Sequence, residues 1–191
     1  MRFPAILLLL FLFSPIIAAQ TPQIIPTARL LTMPRDVSTA SRPRRVSVPV
    51  TTTVLAPVDP NEIERNAFEN TNAVRVRSGL APLVWDAALL RAARVHSEDM
   101  VRQGYFAHET PDGARLRDRV RAVGILHFKV LGENIAYNQG FDDPGAFAVE
   151  RWMLSPGHRA NILSSEFELS AVGTFVAPDG TVYLTQVFLK R

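Results

Sequence analysis

The sequence predicts an α+β fold in which a small, largely antiparallel sheet is covered by helices. Three observations carry this prediction. Helical periodicity with capping signals opens the region from Asp59 onward and returns at Asp143-Pro144. Two β-rich runs, SAVGTFVA and TVYLTQVFL, close the chain around the turn Pro178-Asp179-Gly180, as an antiparallel hairpin does. Between the helices and the hairpin, HFKVLGENIAY clusters apolar residues around Gly132-Glu133-Asn134 and reads as a short strand.

The first helix is expected in DPNEIERN, with Asp59 as cap, Pro60 at the first helical position and Glu62 three residues after Asp59, as in a capping box. Ile63, Ala67, Thr71 and Val74 follow at helical spacing until Ser78-Gly79. A second helix follows LVWD, capped by Asp86, with Leu89, Leu90, Ala93, Ser97 and Met100 on one face and Gly104 at its end. YFAHETPDG reads as a loop, because Pro111-Asp112-Gly113 is turn chemistry. Arg115 to Val123 is expected as a short helix with a solvated basic face. Asp143-Pro144 starts another helix, from which Phe147 and Trp152 can point inward.

A chain of 191 residues accommodates one well-buried domain with extensions. Residues 1–19 have a signal-peptide layout: one early positive charge at Arg2, an apolar run from Phe3 to Phe13, and small residues at Ala18-Ala19. Cleavage after Ala19 is expected, with an uncleaved membrane anchor as the alternative. Gln20 to Val58 is dense in Pro, Thr and Ser without a sustained hydrophobic period, and reads as a disordered basic linker; the folded domain is assigned to 59–191. The linker carries five Arg against one Asp. From Asp59 onward fifteen basic residues face seventeen acidic ones, a net charge of −2, so the motive for binding nucleic acid disappears. With no cysteine, disulfides and thiol chemistry are excluded, although the leader points to a secreted, extracellular or periplasmic location. Two Lys against nineteen Arg suggest a GC-rich bacterial source.

Among the four histidines, His96 lies mid-helix three residues beyond Ala93 and reads as structural, His127 has no nearby partner in sequence, and His108 and His158 lie in loops. Glu133 sits in a segment suited to burial, where a carboxylate needs a cation, a metal or several N–H donors. Bracing the sheet and serving a site are both open to it. Two histidines and a glutamate, His108, Glu133 and His158, make an open three-ligand site for zinc or calcium chemically feasible, although no HExxH spacing supports it. No GxSxG elbow accompanies Ser155, and no glycine-rich phosphate loop occurs.

Six ordered stretches carry a family resemblance: NAVRVRSGLAPLVWD, HSEDM, YFAHETPDG, GENIA, ERWMLSPGHRANIL and YLTQVF. Together they resemble the bacterial branch of the CAP superfamily, the cysteine-rich secretory protein, antigen 5 and pathogenesis-related 1 domain also called SCP. The resemblance implies a three-layer α–β–α sandwich, extracellular placement and a shallow cleft lined by two histidines and two acids that binds a divalent metal in some members. His108 matches the first histidine and Glu133 the first acid. Where the family has its second acid this chain has Ser155, and where it has its second histidine this chain has Tyr183. His158, from the SPGHR stretch, is the candidate to supply the missing imidazole; the rival expectation is that Pro156-Gly157-His158 ends the preceding helix.

These readings lead to a secreted or envelope-associated binding module whose cleft of His108, Glu133 and His158 accepts a divalent cation, with no catalytic residue assigned. The alternatives are a metal-dependent hydrolase of extracellular or cell-wall substrates with Glu133 as general base, and a lipid-binding module with a groove between helices. An envelope polymer, a lipid or a protein are the candidate partners.

Overall fold

The computed structural model describes residues 27–32 and 60–191. The signal segment, the rest of the linker and Asp59 lie outside the described residues. Helix α1 (Glu62–Arg77) is capped by Asn61, whose side chain accepts the Glu64 amide while the Glu64 carboxylate accepts the Asn61 N–H. The expected start at Asp59 therefore moves two residues along the chain. Glu64 explains the choice, because it also accepts the Thr174 amide and a charge-assisted bond from Arg94, so this box is locked by tertiary contacts.

Helix α2 (Ala87–Gln103) begins at its expected cap, Asp86, which accepts the Ala88 and Leu89 amides, and ends at Gly104 in the left-handed conformation. Helix α3 (Leu116–Ala122) follows the loop, and helix α4 (Pro144–Leu154) is capped by Asp143. Ser155 is extended and separates α4 from a further helix, α5 (Pro156–Ile162), with Pro156 in its first turn. The Pro-Gly-His stretch thus ends one helix and starts the next, and His158 belongs to a helix instead of a loop.

Strands β1 (Thr27–Thr32), β2 (Val84–Trp85), β3 (Val130–Asn138), β4 (Leu169–Val176) and β5 (Val182–Lys190) form one sheet in the order β1-β3-β5-β4-β2. All neighbours are antiparallel except β2 and β4. The terminal hairpin β4–β5 is as expected. Strand β1 is not: it lies inside the stretch read as a linker, and its backbone runs from Thr27 opposite Ile135 to Thr32 opposite Val130. An edge ladder of this kind is held by main-chain bonds, which leave no obligatory side-chain period to read.

The alternation of β3 sorts the molecule into layers. Leu131 faces a core shared with Leu89, Leu90, Leu116 and Val120 of α2 and α3, whereas Val130 and Ala136 face a core built around Trp152 and Ile162 of α4 and α5. Helices α2 and α3 cover one face of the sheet, and α1, α4 and α5 cover the other, giving the α–β–α sandwich. Trp152 is fully buried as expected, and its indole N–H donates to the Ile135 carbonyl at 3.1 Å. Phe147 is half-buried and stacks on Phe141 at the edge of α4.

Candidate functional site

Glu133 points from the middle of β3 into the α2–α3 layer and is 1% exposed. A lone ionised carboxylate there would be strongly destabilising, and the surrounding sequence supplies its partners. Arg119 of α3 sets Nη2 2.6 Å from Glu133 Oε2, and His108, in the loop between α2 and α3, sets Nδ1 2.7 Å from Oε1. The other guanidinium arm, Nη1, donates to the His108 carbonyl at 3.1 Å, so Arg119 positions both members of the pair. His96 of α2 completes the cluster, with Nε2 3.9 Å from Glu133 Oε1 and its ring beside Tyr105, whose hydroxyl donates to Asp99 at 2.7 Å. Burial alone would push the Glu133 carboxyl up; Arg119 and the His108 hydrogen bond outweigh it and hold the group at about 2. Burial pushes His96 down to about 4, so its ring is neutral at pH 7.

An ionised Glu133 can only accept, so His108 donates through Nδ1–H and keeps Nε2 as its other ring nitrogen. That nitrogen is buried and hydrogen-bonds to no protein group, and the same holds for His96 Nε2. Phe106, two residues before His108 in the same loop, stands edge-on to Tyr137 at 4.9 Å, and Tyr137 stacks on Tyr183 at 5.4 Å. One end of the loop thus meets an aromatic wall and the other a charged cluster, both on the same face of β3.

Of the three predicted cleft residues, the structure brings together His108 and Glu133 and separates His158 from them. His158 is buried in α5, and its carbonyl accepts from Asn134 Nδ2 at 3.2 Å. Asn134 adjoins Glu133 in the strand and so faces the opposite layer. The imidazole that approaches Glu133 is His96, which sequence reasoning treated as structural. Arg119 was also missed, since the Arg115–Val123 run looked like a solvated basic face. Tyr183 joins the aromatic wall.

The residues present do not fit a divalent cation. Among the described residues no group of three or more His, Cys, Asp or Glu could hold a metal ion, and the free side of the carboxylate is taken by the Arg119 guanidinium. Catalysis by Glu133 as general base meets the same obstacle, because both oxygens are engaged.

A three-layer sandwich of this order is the fold of SCP-domain proteins. The chain belongs to the cysteine-rich secretory protein family, CAP, which it matches over residues 68–188. It is 41% identical over 128 residues to the uncharacterized membrane protein YlbC of Bacillus subtilis strain 168, covering 67% of this chain and 34% of that relative. It is 36% identical over 156 residues to the uncharacterized protein YkwD of the same organism, covering 82% of this chain and 58% of YkwD. The chain therefore spans only part of the length of these relatives. Among solved structures, an extracellular SCP-domain protein from Bacillus anthracis str. Ames superposes with a TM-score of 0.59 at 31% identity, over 72% of this chain and 45% of that one. An outer surface protein from Borrelia burgdorferi shares the fold, with a TM-score of 0.62 at 18% identity over 70% of this chain and 96% of its own.

Proposed function

We propose that the chain is an exported, envelope-associated binding module that works through the cleft at His108 and catalyses no reaction. The observation that carries this reading is the double engagement of Glu133, by Arg119 on one oxygen and His108 on the other. A general base needs a lone pair within reach of water or substrate, and this carboxylate is 1% exposed with a partner on each oxygen. Ser155, the other residue weighed for chemistry, is the junction between α4 and α5. Export is supported by the layout of residues 1–19 and by relatives described as an extracellular protein and a membrane protein. Because Thr27–Thr32 pairs with β3, the part of this stretch left to serve as a basic spacer is 33–58, with four Arg.

The test is co-sedimentation of the purified full chain with isolated bacterial envelopes. Saturable binding that weakens at least about tenfold, or ~1.4 kcal/mol, in His108→Ala is expected. Binding that is indifferent to this substitution removes the cleft from the proposal. Digestion of a peptide library by the wild type, abolished in Glu133→Gln, would establish the hydrolase instead.

A second reading rests on a separate observation. Between α1 and α4 runs an open groove of about 730 Å³ whose apolar lining includes Val74, Phe147, Val149 and Met153. Its dimensions suit an acyl chain. Displacement of a fluorescent fatty acid, weakened by Val149→Trp, would support it, and no uptake of the probe would end it.

A further inference from the structure

The family expectation of a divalent cation and the residues that surround Glu133 disagree, and the disagreement has one physical source. A metal bound at His108 and Glu133 would supply positive charge to the carboxylate and fix the imidazole. Arg119 already does both. Its Nη2 lies 2.6 Å from Glu133 Oε2, its Nη1 holds the His108 carbonyl at 3.1 Å, and it is 8% exposed, so the charge is built into the core face of α3. Leu116 and Val120 of the same helix are buried against Leu131 of β3, which fixes the guanidinium in place through the packing of its own helix.

We propose that Arg119 is a built-in substitute for the cation, and that it keeps the cleft of this protein metal-free. The remaining donor atoms support this. His108 Nδ1 and His96 Nε2 stand 2.7 and 3.9 Å from Glu133 Oε1. Ligand atoms around a tetrahedral zinc, with bonds of about 2.0–2.2 Å, lie about 3.4 Å apart, so one separation is shorter and the other longer than a zinc ion needs, and the shorter is a hydrogen bond. With Arg119 in place these groups form no metal-ligand set; without it, two imidazoles and a carboxylate would be left facing one another with Oε2 released. Repulsion between that guanidinium and a divalent cation, together with its hold on Oε2, keeps the set from closing on a metal. The consequence for function is direct: the His108–Glu133 pair is held by a protein guanidinium, not by a metal that could carry an activated water.

Zinc titration of the full chain at neutral pH, followed by thermal melting and calorimetry, tests the proposal. The wild type is expected to show no saturable zinc binding that depends on His108 and no shift of its melting temperature. Arg119→Ala is expected to gain saturable binding, seen as a melting temperature several degrees higher in zinc, and to lose the gain in Arg119→Ala/His108→Ala. Arg119→Lys, which keeps the charge, should remain metal-free. If Arg119→Ala folds poorly alone, recovery of its folded circular dichroism on adding zinc is the same result, since metal binding then drives folding. Either His108-dependent zinc binding by the wild type, or an Arg119→Ala chain that neither binds zinc nor is rescued by it, overturns the inference. Neither readout depends on the cleft's natural ligand, so failure here leaves the binding-module reading standing.

Discussion

Arg119 of α3 and Glu133 of β3 meet through a 2.6 Å ion pair in a layer where both side chains are almost wholly buried, and His108 closes the other side of the carboxylate. The pair is the hinge of the site's energetics. Desolvating two charges costs roughly what their attraction returns, whereas stranding one of them is expensive. Arg119→Met is therefore expected to destabilise the domain by about 3–5 kcal/mol, and the double variant Arg119→Met/Glu133→Met to recover much of that loss. Urea unfolding of the three proteins measures it; equal losses in single and double variants would show that packing, and not the stranded charge, sets the cost.

Acid should unfold the protein in two overlapping windows. His96 has a folded-state pKa of about 4 against an ordinary 6.5, so the unfolded chain takes up a proton first and stability falls as pH drops from 6.5 toward 4. Glu133, at about 2 against 4.5, contributes stability that is complete above pH 4.5 and lost between 4.5 and 2, on the order of 3 kcal/mol. Urea midpoints measured across this range should decline through both windows in the wild type. His96→Gln should flatten the upper one, and an undiminished decline there in that variant would assign it to another group.

How far the sequence carried this picture depends on where each signal resides. Helix α2 was readable because its cap, apolar face and terminal glycine all lie within its own residues, Asp86 to Gly104. The start of α1 was not, because Asp59 with Glu62 and Asn61 with Glu64 are equivalent capping boxes on paper. Only Arg94 and Thr174, distant in sequence, choose between them. Glu133 announced itself by being acidic in an apolar strand, and His108 by the family motif. Arg119 was hidden among Arg115, Arg117 and Arg121, since no local feature says which of four arginines turns inward. His158 misled for the complementary reason: a seven-residue helix has too little period to reveal which layer it joins.

Gly173 shows how closely α2 lies on β4. A Cβ at this position would stand 2.6 Å from the Ala93 carbonyl carbon and overlap Arg94 N, both backbone atoms of the helix. Relief requires α2 to lift, and α2 carries His96 and Ser97, whose hydroxyl donates to the Gly173 carbonyl at 2.9 Å. Gly173→Ala is expected to cost about 1–3 kcal/mol or more by overpacking and to shift the His96 ring. Thermal melting and the imidazole NMR signals report the two effects, and a melting temperature unchanged from wild type would mean that the helix shifts freely.

His158 provides the test that separates scaffold from site. Its ring is buried, and its backbone carbonyl receives the Asn134 side chain, whose own oxygen accepts from Asn161 at 2.8 Å. Asn161 also donates to the Glu133 carbonyl at 3.1 Å, so this polar network braces the back of β3 behind the cleft. Removing the fully buried imidazole leaves a cavity beside that brace and should cost about 2–5 kcal/mol, as other large-to-small core substitutions do. It should leave the front of the strand intact, because His108, Arg119 and His96 reach Glu133 from the other layer. His158→Ala is thus expected to melt earlier yet bind envelopes with wild-type affinity at temperatures where it is folded, whereas His108→Ala binds weakly even at temperatures where it is folded. Parallel melting and co-sedimentation curves for the two variants decide the matter, and a binding defect in folded His158→Ala would return that residue to the site.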